Sequence, residues 1–171
     1  MARGGHPAPY GIRGKSAVIF VTVGSNPTFR FQRLIDAIGQ LTPDELVVQY
    51  GPATPPSGVK EAHQWLTFDQ VLDFMGEADT VISHAGTGTI LCASNMGHVP
   101  VVMPRLKRFG ETVDDHQVAL AAVFERTGRV AVVWDAASLP ERVEQASKRG
   151  SPSQPSAGKL QDAVRSALLG A

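Results

Sequence analysis

Seven residues, Ser83-His84-Ala85-Gly86-Thr87-Gly88-Thr89, join an apolar run, Thr80-Val81-Ile82, to a helix-like segment at 90–96. A strand, a tight turn of small residues and a helix leave backbone N–H groups uncovered at the helix N-terminus, where free donors and partial positive charge attract anions. Gly86, Thr87, Gly88 and Thr89 are therefore read as a cradle for phosphate, in the first instance the diphosphate of a nucleotide. The alternative is that the two glycines only close a tight turn. A second small-residue turn, Gly24-Ser25-Asn26-Pro27, follows the run AVIFVTV and adds Gly24 and Ser25 to the candidate binding residues. His84 admits three roles: general base, diphosphate contact, or a packed residue at a strand end. Cys92 reads as a core residue.

The elements that must position these turns follow from periodicity. Residues 17–23 are β-branched and apolar on both faces, as in a parallel strand covered on each side. Phe31, Leu34, Ile35 and Ile38 then recur at helical spacing, with Thr28 or Asn26 placed to cap. Short strands are expected at 46–49 and 63–66, and a helix capped by Thr67 at 69–76. Further strands are expected at 80–83, 99–103 and 130–134, and helices at 116–126 and 139–148. Residues 105–115 are charged and aperiodic; Arg105, Lys107 and Arg108 suit a phosphate clamp, an anionic-lipid contact or a solvated loop. Trp65 and Trp134 read as packing residues. This alternation predicts an α/β fold, a Rossmann-like parallel sheet with helices on both faces and right-handed crossovers. Such sheets bind ligands at the carboxyl ends of their strands, beside the topological switch point.

The expected organisation is a flexible leader at 1–15, one Rossmann-like nucleotide-binding domain at 16–149, a linker at 150–158 and a C-terminal helix at 159–171. The chain has 171 residues, a length that suits one domain. Sixteen Lys and Arg balance sixteen Asp and Glu, so no net field draws the chain to nucleic acid, and none is expected as a partner. The single cysteine excludes an internal disulfide and a cysteine-based zinc site. No window reaches the roughly 18 to 20 apolar residues of a membrane span, and no signal-peptide core opens the chain. A cytoplasmic protein is expected, held at the inner face of a membrane only if a partner holds it there. An NAD enzyme is disfavoured, because the second strand ends Gln49-Tyr50-Gly51 without a ribose-binding carboxylate and neither turn spells GxGxxG.

Three stretches taken together, VTVGSNPTFRFQRLIDAI (21–38), VISHAGTGTIL (81–91) and VPVVMPRLKRFGETVDDHQ (99–117), resemble the carboxyl-terminal, donor-binding half of GT-B glycosyltransferases of the family 28 type. The likeness covers about residues 17–146 and is strongest to two groups of short proteins. One comprises the small subunits of two-chain bacterial exopolysaccharide glycosyltransferases. The other comprises the donor-binding subunits of the dolichol-linked N-acetylglucosaminyltransferase. The resemblance implies a single GT-B half-domain with Gly86, Thr87 and Gly88 against the diphosphate of a UDP-sugar and His84 beside it. It also implies a backbone contact to the uracil edge from Phe68, at the end of a strand. Asp115, His116 and Gln117 would lie near the donor sugar, and Glu111 is a further candidate for a sugar or ribose hydroxyl. Read from the residues alone, His116 is a helix-capping or structural residue before it is a catalyst. Where some family members carry a ribose-binding glutamate, this chain has Cys92.

The activity so implied is an inverting, metal-independent hexosyl or N-acetylhexosaminyl transfer to a lipid-linked or polysaccharide acceptor, without a cofactor. A membrane-associated partner subunit would carry the acceptor site and the base. The other class is a non-catalytic nucleotide-binding or scaffold module of the same fold.

Overall fold

The computed structural model describes residues 17–42 and 45–148; the expected leader, linker and C-terminal helix lie outside them. Six parallel strands, β1 (Ile19–Thr22), β2 (Leu46–Gln49), β3 (Glu61–His63), β4 (Thr80–His84), β5 (Val101–Met103) and β6 (Ala131–Val132), form one sheet in the order β3-β2-β1-β4-β5-β6. The chain builds outward from β1 to β3, returns to the other side at β4 and builds outward again. The switch point therefore lies between β1 and β4, whose register pairs Thr22 with Ser83.

Alternation along the strands decides which helix covers which face. Val21, Val48, Ile82 and Met103 share one cluster with Phe31, with Leu34 and Ile38 of α1 (Gln32–Ile38), and with Leu139 and Val143 of α5 (Leu139–Ser147). Phe20, Val47 and Val81 face the other way. They pack on Leu72 and Met75 of α2 (Phe68–Glu77) and on Cys92 and Ala93 of α3 (Thr87–Asn95). Val102 and Val132 continue that face under Ala121 of α4 (His116–Arg126). The sheet is thus wrapped on both sides, as the buried apolar runs predict.

The third strand falls at Glu61–His63, earlier than the 63–66 expected. Its partner β2 ends at Gln49; the N–H groups of Tyr50 and Gly51 still donate to His63 O and Gln64 O, but the chain turns at Gly51 and Pro52, so Trp65 and Leu66 have no strand to pair with. Being an edge strand, β3 is mostly exposed and carries no apolar run to reveal it. Phe68, expected at a strand end, is instead the first residue of α2 and 48% exposed. The cap expected for α1 differs too. Phe31 occupies its N-cap without a side-chain bond, while Asn26 Oδ1 accepts from the N–H groups of Thr28 and Phe29 within the preceding loop.

Candidate functional site

The N-termini of α2 and α3 contrast sharply. At α2, Thr67 and Gln70 form a complete capping box: the Thr67 hydroxyl accepts from Gln70 N–H, and the Gln70 side chain accepts from Thr67 N–H. At α3, the N-cap is Gly86, with no side-chain cap bond and no acidic residue in the first turn. The first-turn N–H groups of Thr87, Gly88 and Thr89 have no intrahelical partner by geometry. A side chain on Gly88 would meet nothing within 4 Å, so the space beside Gly88 is open. Thr87 and Gly88 are exposed, and Thr89 is half-buried.

Gly24 and Gly86 bracket the His84 imidazole. A Cβ at Gly24 would come within 2.6 Å of His84 Cε1, and one at Gly86 would run into Nε2. Gly24 also has φ +82, a left-handed conformation that favours glycine. Its N–H is not offered to a ligand, since it donates to Thr22 Oγ1, which in turn donates to Gln49 Oε1 at 2.6 Å. Ser25 is exposed on the same turn. His84 keeps some exposure, but its Nδ1 is buried without a hydrogen-bond partner. Burial, and secondarily the Arg105 charge, lower the imidazole pKa to about 4, so the ring is neutral at pH 7.

The loop after β5 is exposed at Lys107 to Gly110 and at Val113 to Asp115, but two buried residues, Arg105 and Glu111, anchor it. It carries a 3-10 turn at Lys107–Phe109, closed by Gly110 at φ +67. Arg105 and Glu111 are each 3% exposed. Glu111 accepts from Arg33 Nε at 3.0 Å and Nη2 at 2.8 Å, and from Leu106 N–H at 2.9 Å. Its carboxylate is therefore turned inward, to α1. Arg105 gives its guanidinium to the carbonyls of Val23, Phe29 and Glu111, which makes it an internal tie and not an exposed phosphate clamp. Burial lowers its pKa to about 10, against the opposing pull of Glu111, and leaves it cationic at neutral pH.

Asp115, His116 and Gln117 stand at the head of α4. Gln117 is buried, and its Oε1 accepts from Arg105 N–H at 3.1 Å. Asp115 and His116 are exposed; Asp115 accepts from Lys107 N–H, and His116 pairs with Asp114. That pairing, led by the hydrogen bond from the His116 side chain, lowers the Asp114 pKa. The structure thus joins Gly24, His84 and Gly86 at the switch point and ties Gln117 to them through Arg105. Phe68 stands apart, heading α2 beyond edge strand β3, two strands from β1.

Arg33 is the residue that sequence reading passes over. Charged residues at helical spacing look like a solvated face, and no local signal shows a partner 78 positions away. A groove of about 780 Å³ runs beside this pair, walled by Arg30, Arg33, Gln40, Phe109 and Glu111 among others. Gly86 to Thr89 are not among its walls, so groove and cradle are separate features. Among the described residues, no three His, Cys, Asp or Glu side chains gather where they could hold a metal ion. No described helix is long and apolar enough to cross a membrane.

The family described as "Glycosyltransferase family 28 C-terminal domain" matches residues 18–166. The "UDP-N-acetylglucosamine transferase subunit ALG13" of Yarrowia lipolytica is 30% identical over 138 residues, which cover 71% of this chain and 67% of that protein. The "UDP-N-acetylglucosamine--N-acetylmuramyl-(pentapeptide) pyrophosphoryl-undecaprenol N-acetylglucosamine transferase" of Opitutus terrae is 42% identical over 71 residues, 41% of this chain and 18% of that one. Two solved structures share the fold. The calicheamicin glycosyltransferase CalG4 has a TM-score of 0.55 at 22% identity, and the glycotransferase of kitacinnamycin a TM-score of 0.56 at 20%. Alignment covers 93% and 96% of this chain, but only 40% and 42% of those structures.

Proposed function

The chain belongs to the glycosyltransferase family 28 C-terminal domains, and from that premise we propose that it is the donor-binding half of a two-component glycosyltransferase. The donor is a UDP-sugar whose diphosphate sits on the open N-terminus of α3. The observation that carries this reading is the contrast between α3, uncapped beside the switch point, and α2, whose capping box leaves its terminus satisfied. A subunit role is favoured by the Yarrowia relative, which is by name a UDP-N-acetylglucosamine transferase subunit. N-acetylglucosaminyl or a related hexosyl group is accordingly the first choice of sugar, and a lipid-linked or polysaccharide hydroxyl the first choice of acceptor.

In the proposed reaction the acceptor oxygen attacks the anomeric carbon from the face opposite the diphosphate, and configuration inverts. The bond from that carbon to the phosphate oxygen breaks, its electron pair leaves on UDP, and the hydroxyl proton passes to a base. Charge develops on the leaving diphosphate, so donors fixed at the α3 terminus stabilise the transition state without a metal; one such donor is worth on the order of 3 kcal/mol. His84, neutral and weakly basic, suits a hydrogen-bond partner of the phosphates better than the base. The base and acceptor site are assigned to a partner chain, which would also bring this chain to the cytoplasmic face of a membrane. Asp115 and His116, exposed at the head of α4, remain available to sugar hydroxyls.

A second reading, a nucleotide-binding module without turnover, draws on Cys92. That position is 4% exposed and packed with Phe20 and Val81 in the core, so it offers no carboxylate to a ribose. Calorimetry with UDP and UDP-sugars against NAD, followed by turnover assays with and without the partner, separates the readings. Sugar transfer only in the mixture supports the first. Binding without transfer in any mixture supports the second, and no affinity for UDP in any mixture removes both.

A further inference from the structure

The Arg105 side chain ties together two of the sequence stretches of the site, 21–38 and 99–117. Its Nη2 donates to Val23 O at 2.8 Å, and its Nη1 donates to Phe29 O and Glu111 O, each at 3.0 Å. Val23 and Phe29 flank the turn at 24–28, so one guanidinium holds both ends of the loop that carries Gly24. The third carbonyl belongs to the loop after β5, and Arg105's own N–H is held by Gln117 at the head of α4. The Phe31 ring lies beneath the guanidinium, 4.7 Å from Cζ to the ring centroid. The Glu111 carboxylate is taken up by Arg33 and Leu106 N–H, so carbonyl oxygens alone receive the Arg105 hydrogen bonds.

This wiring matters because the turn it fixes is one jaw of the His84 seat. With Gly24 against one part of the imidazole and Gly86 against another, a shift of the 24–28 turn by a fraction of an ångström displaces the ring or frees it. The ring in turn packs on the N-cap glycine of α3, whose first turn is exposed at Thr87 and Gly88. We infer that Arg105 is a positioning residue for the donor site: by pinning both ends of the 24–28 turn, it seats His84 between Gly24 and Gly86 and so presents the α3 N-terminus preformed to a nucleoside diphosphate. The inference rests on the proposed reading of the α3 terminus as the diphosphate site. A planar fork is needed, since a lysine ammonium is a point donor that cannot span the same carbonyls in fixed directions.

The test uses the full chain with Arg105→Met and Arg105→Lys, UDP as the probe, and three readouts: far-UV circular dichroism, calorimetric affinity, and the NMR signals of the His84 ring. Both variants are expected to fold. Both should lose UDP affinity by about 10- to 100-fold, the scale on which small misplacements act. The His84 ring should also lose its proton–proton contacts to Gly24 and Gly86. A purely structural role would lower the melting temperature and leave affinity and ring contacts unchanged below it, which would overturn the inference. So would wild-type affinity in Arg105→Lys, because charge alone would then suffice. Should neither variant fold, the ligand-free wild type decides. Slowly exchanging Arg105 guanidinium protons and intact His84–Gly24 contacts before UDP is added support a preformed seat; fast exchange, with contacts appearing only on UDP addition, overturns it. Wild-type chain that binds no UDP even with its partner removes the reading of the diphosphate site itself, a distinct outcome from variants that bind as well as wild type.

Discussion

The His84 imidazole lies against the Gly86 backbone so closely that a Cβ at position 86 would occupy the place of Nε2. Glycine is required there for space rather than for a left-handed backbone, since φ at Gly86 is −80. The substitution Gly86→Ala should therefore force the ring out of its seat. Expected results are a loss of about 1 to 3 kcal/mol in urea unfolding, as for other overpacked sites, and a UDP affinity lowered by at least about tenfold. An alanine variant with wild-type affinity would show that the ring's position is immaterial to the donor site.

Gly88 gives the opposite case. Nothing lies within 4 Å of a Cβ built there, so Gly88→Asp fits, and a carboxylate in the first turn of α3 favours the helix by about 0.3 to 1 kcal/mol. The same carboxylate repels a diphosphate from the same donors. Stability should hold or rise while UDP binding disappears. Thr67→Ala, at the capping box of α2, should do the reverse, costing about 1 kcal/mol with UDP affinity unchanged. Equal effects of the two substitutions on UDP binding would remove the distinction drawn between the two helix ends.

The parts of this site visible in the sequence are those made by consecutive residues. A β-branched run followed by small residues announces β1 and β4, because strand burial and turn geometry are both local. Gly86 to Thr89 are legible for that reason, as is Thr67 with Gln70 three positions on. The parts that stayed hidden are made by partners far apart in sequence. Arg33 and Glu111, 78 positions apart, look solvated until the chain between them folds and brings them together, and Arg105 looks like one more surface cation beside Lys107 and Arg108. The bounds of the edge strand Glu61–His63 stay hidden for a different reason: one backbone edge is paired, its side chains are mostly exposed, and no apolar pattern marks it. Phe68 followed from that misplacement, since a strand ending later would have put it at the strand's end.

Acid stability should carry the signature of His84. Its pKa in the folded chain is about 4, below the ordinary 6.5, with burial the larger cause and Arg105 the smaller. The unfolded chain therefore takes up a proton, below about pH 6.5, that the folded chain resists. The contribution is complete above that pH and is lost as pH falls toward about 4; at full size it is up to about 3 kcal/mol. Urea midpoints measured at intervals between pH 7 and 4 should fall for wild type and fall less steeply for His84→Gln. Identical slopes would mean that the ring is not held neutral by its seat. Bound UDP, an anion next to the ring, should raise the imidazole pKa, which proton NMR of its Cε1–H reads directly.

The pairing of Arg33 with Glu111 should prove cooperative rather than additive. The Glu111 side chain is 4% exposed, and Arg33 supplies two of the three donors that its carboxylate receives. Arg33→Met leaves a buried carboxylate with only Leu106 N–H, and breaking such a pair from one side costs about 3 to 5 kcal/mol. Glu111→Gln removes the charge but keeps an acceptor for Leu106 N–H, and leaves Arg33, which is more exposed, able to turn toward water. It should therefore cost less than Arg33→Met. In the double variant no charge remains unpaired, so its loss in urea unfolding should fall short of the sum of the two by more than the roughly 0.5 kcal/mol within which independent sites add. Additivity within that margin would mean that α1 and the loop after β5 are held together by something other than this ion pair.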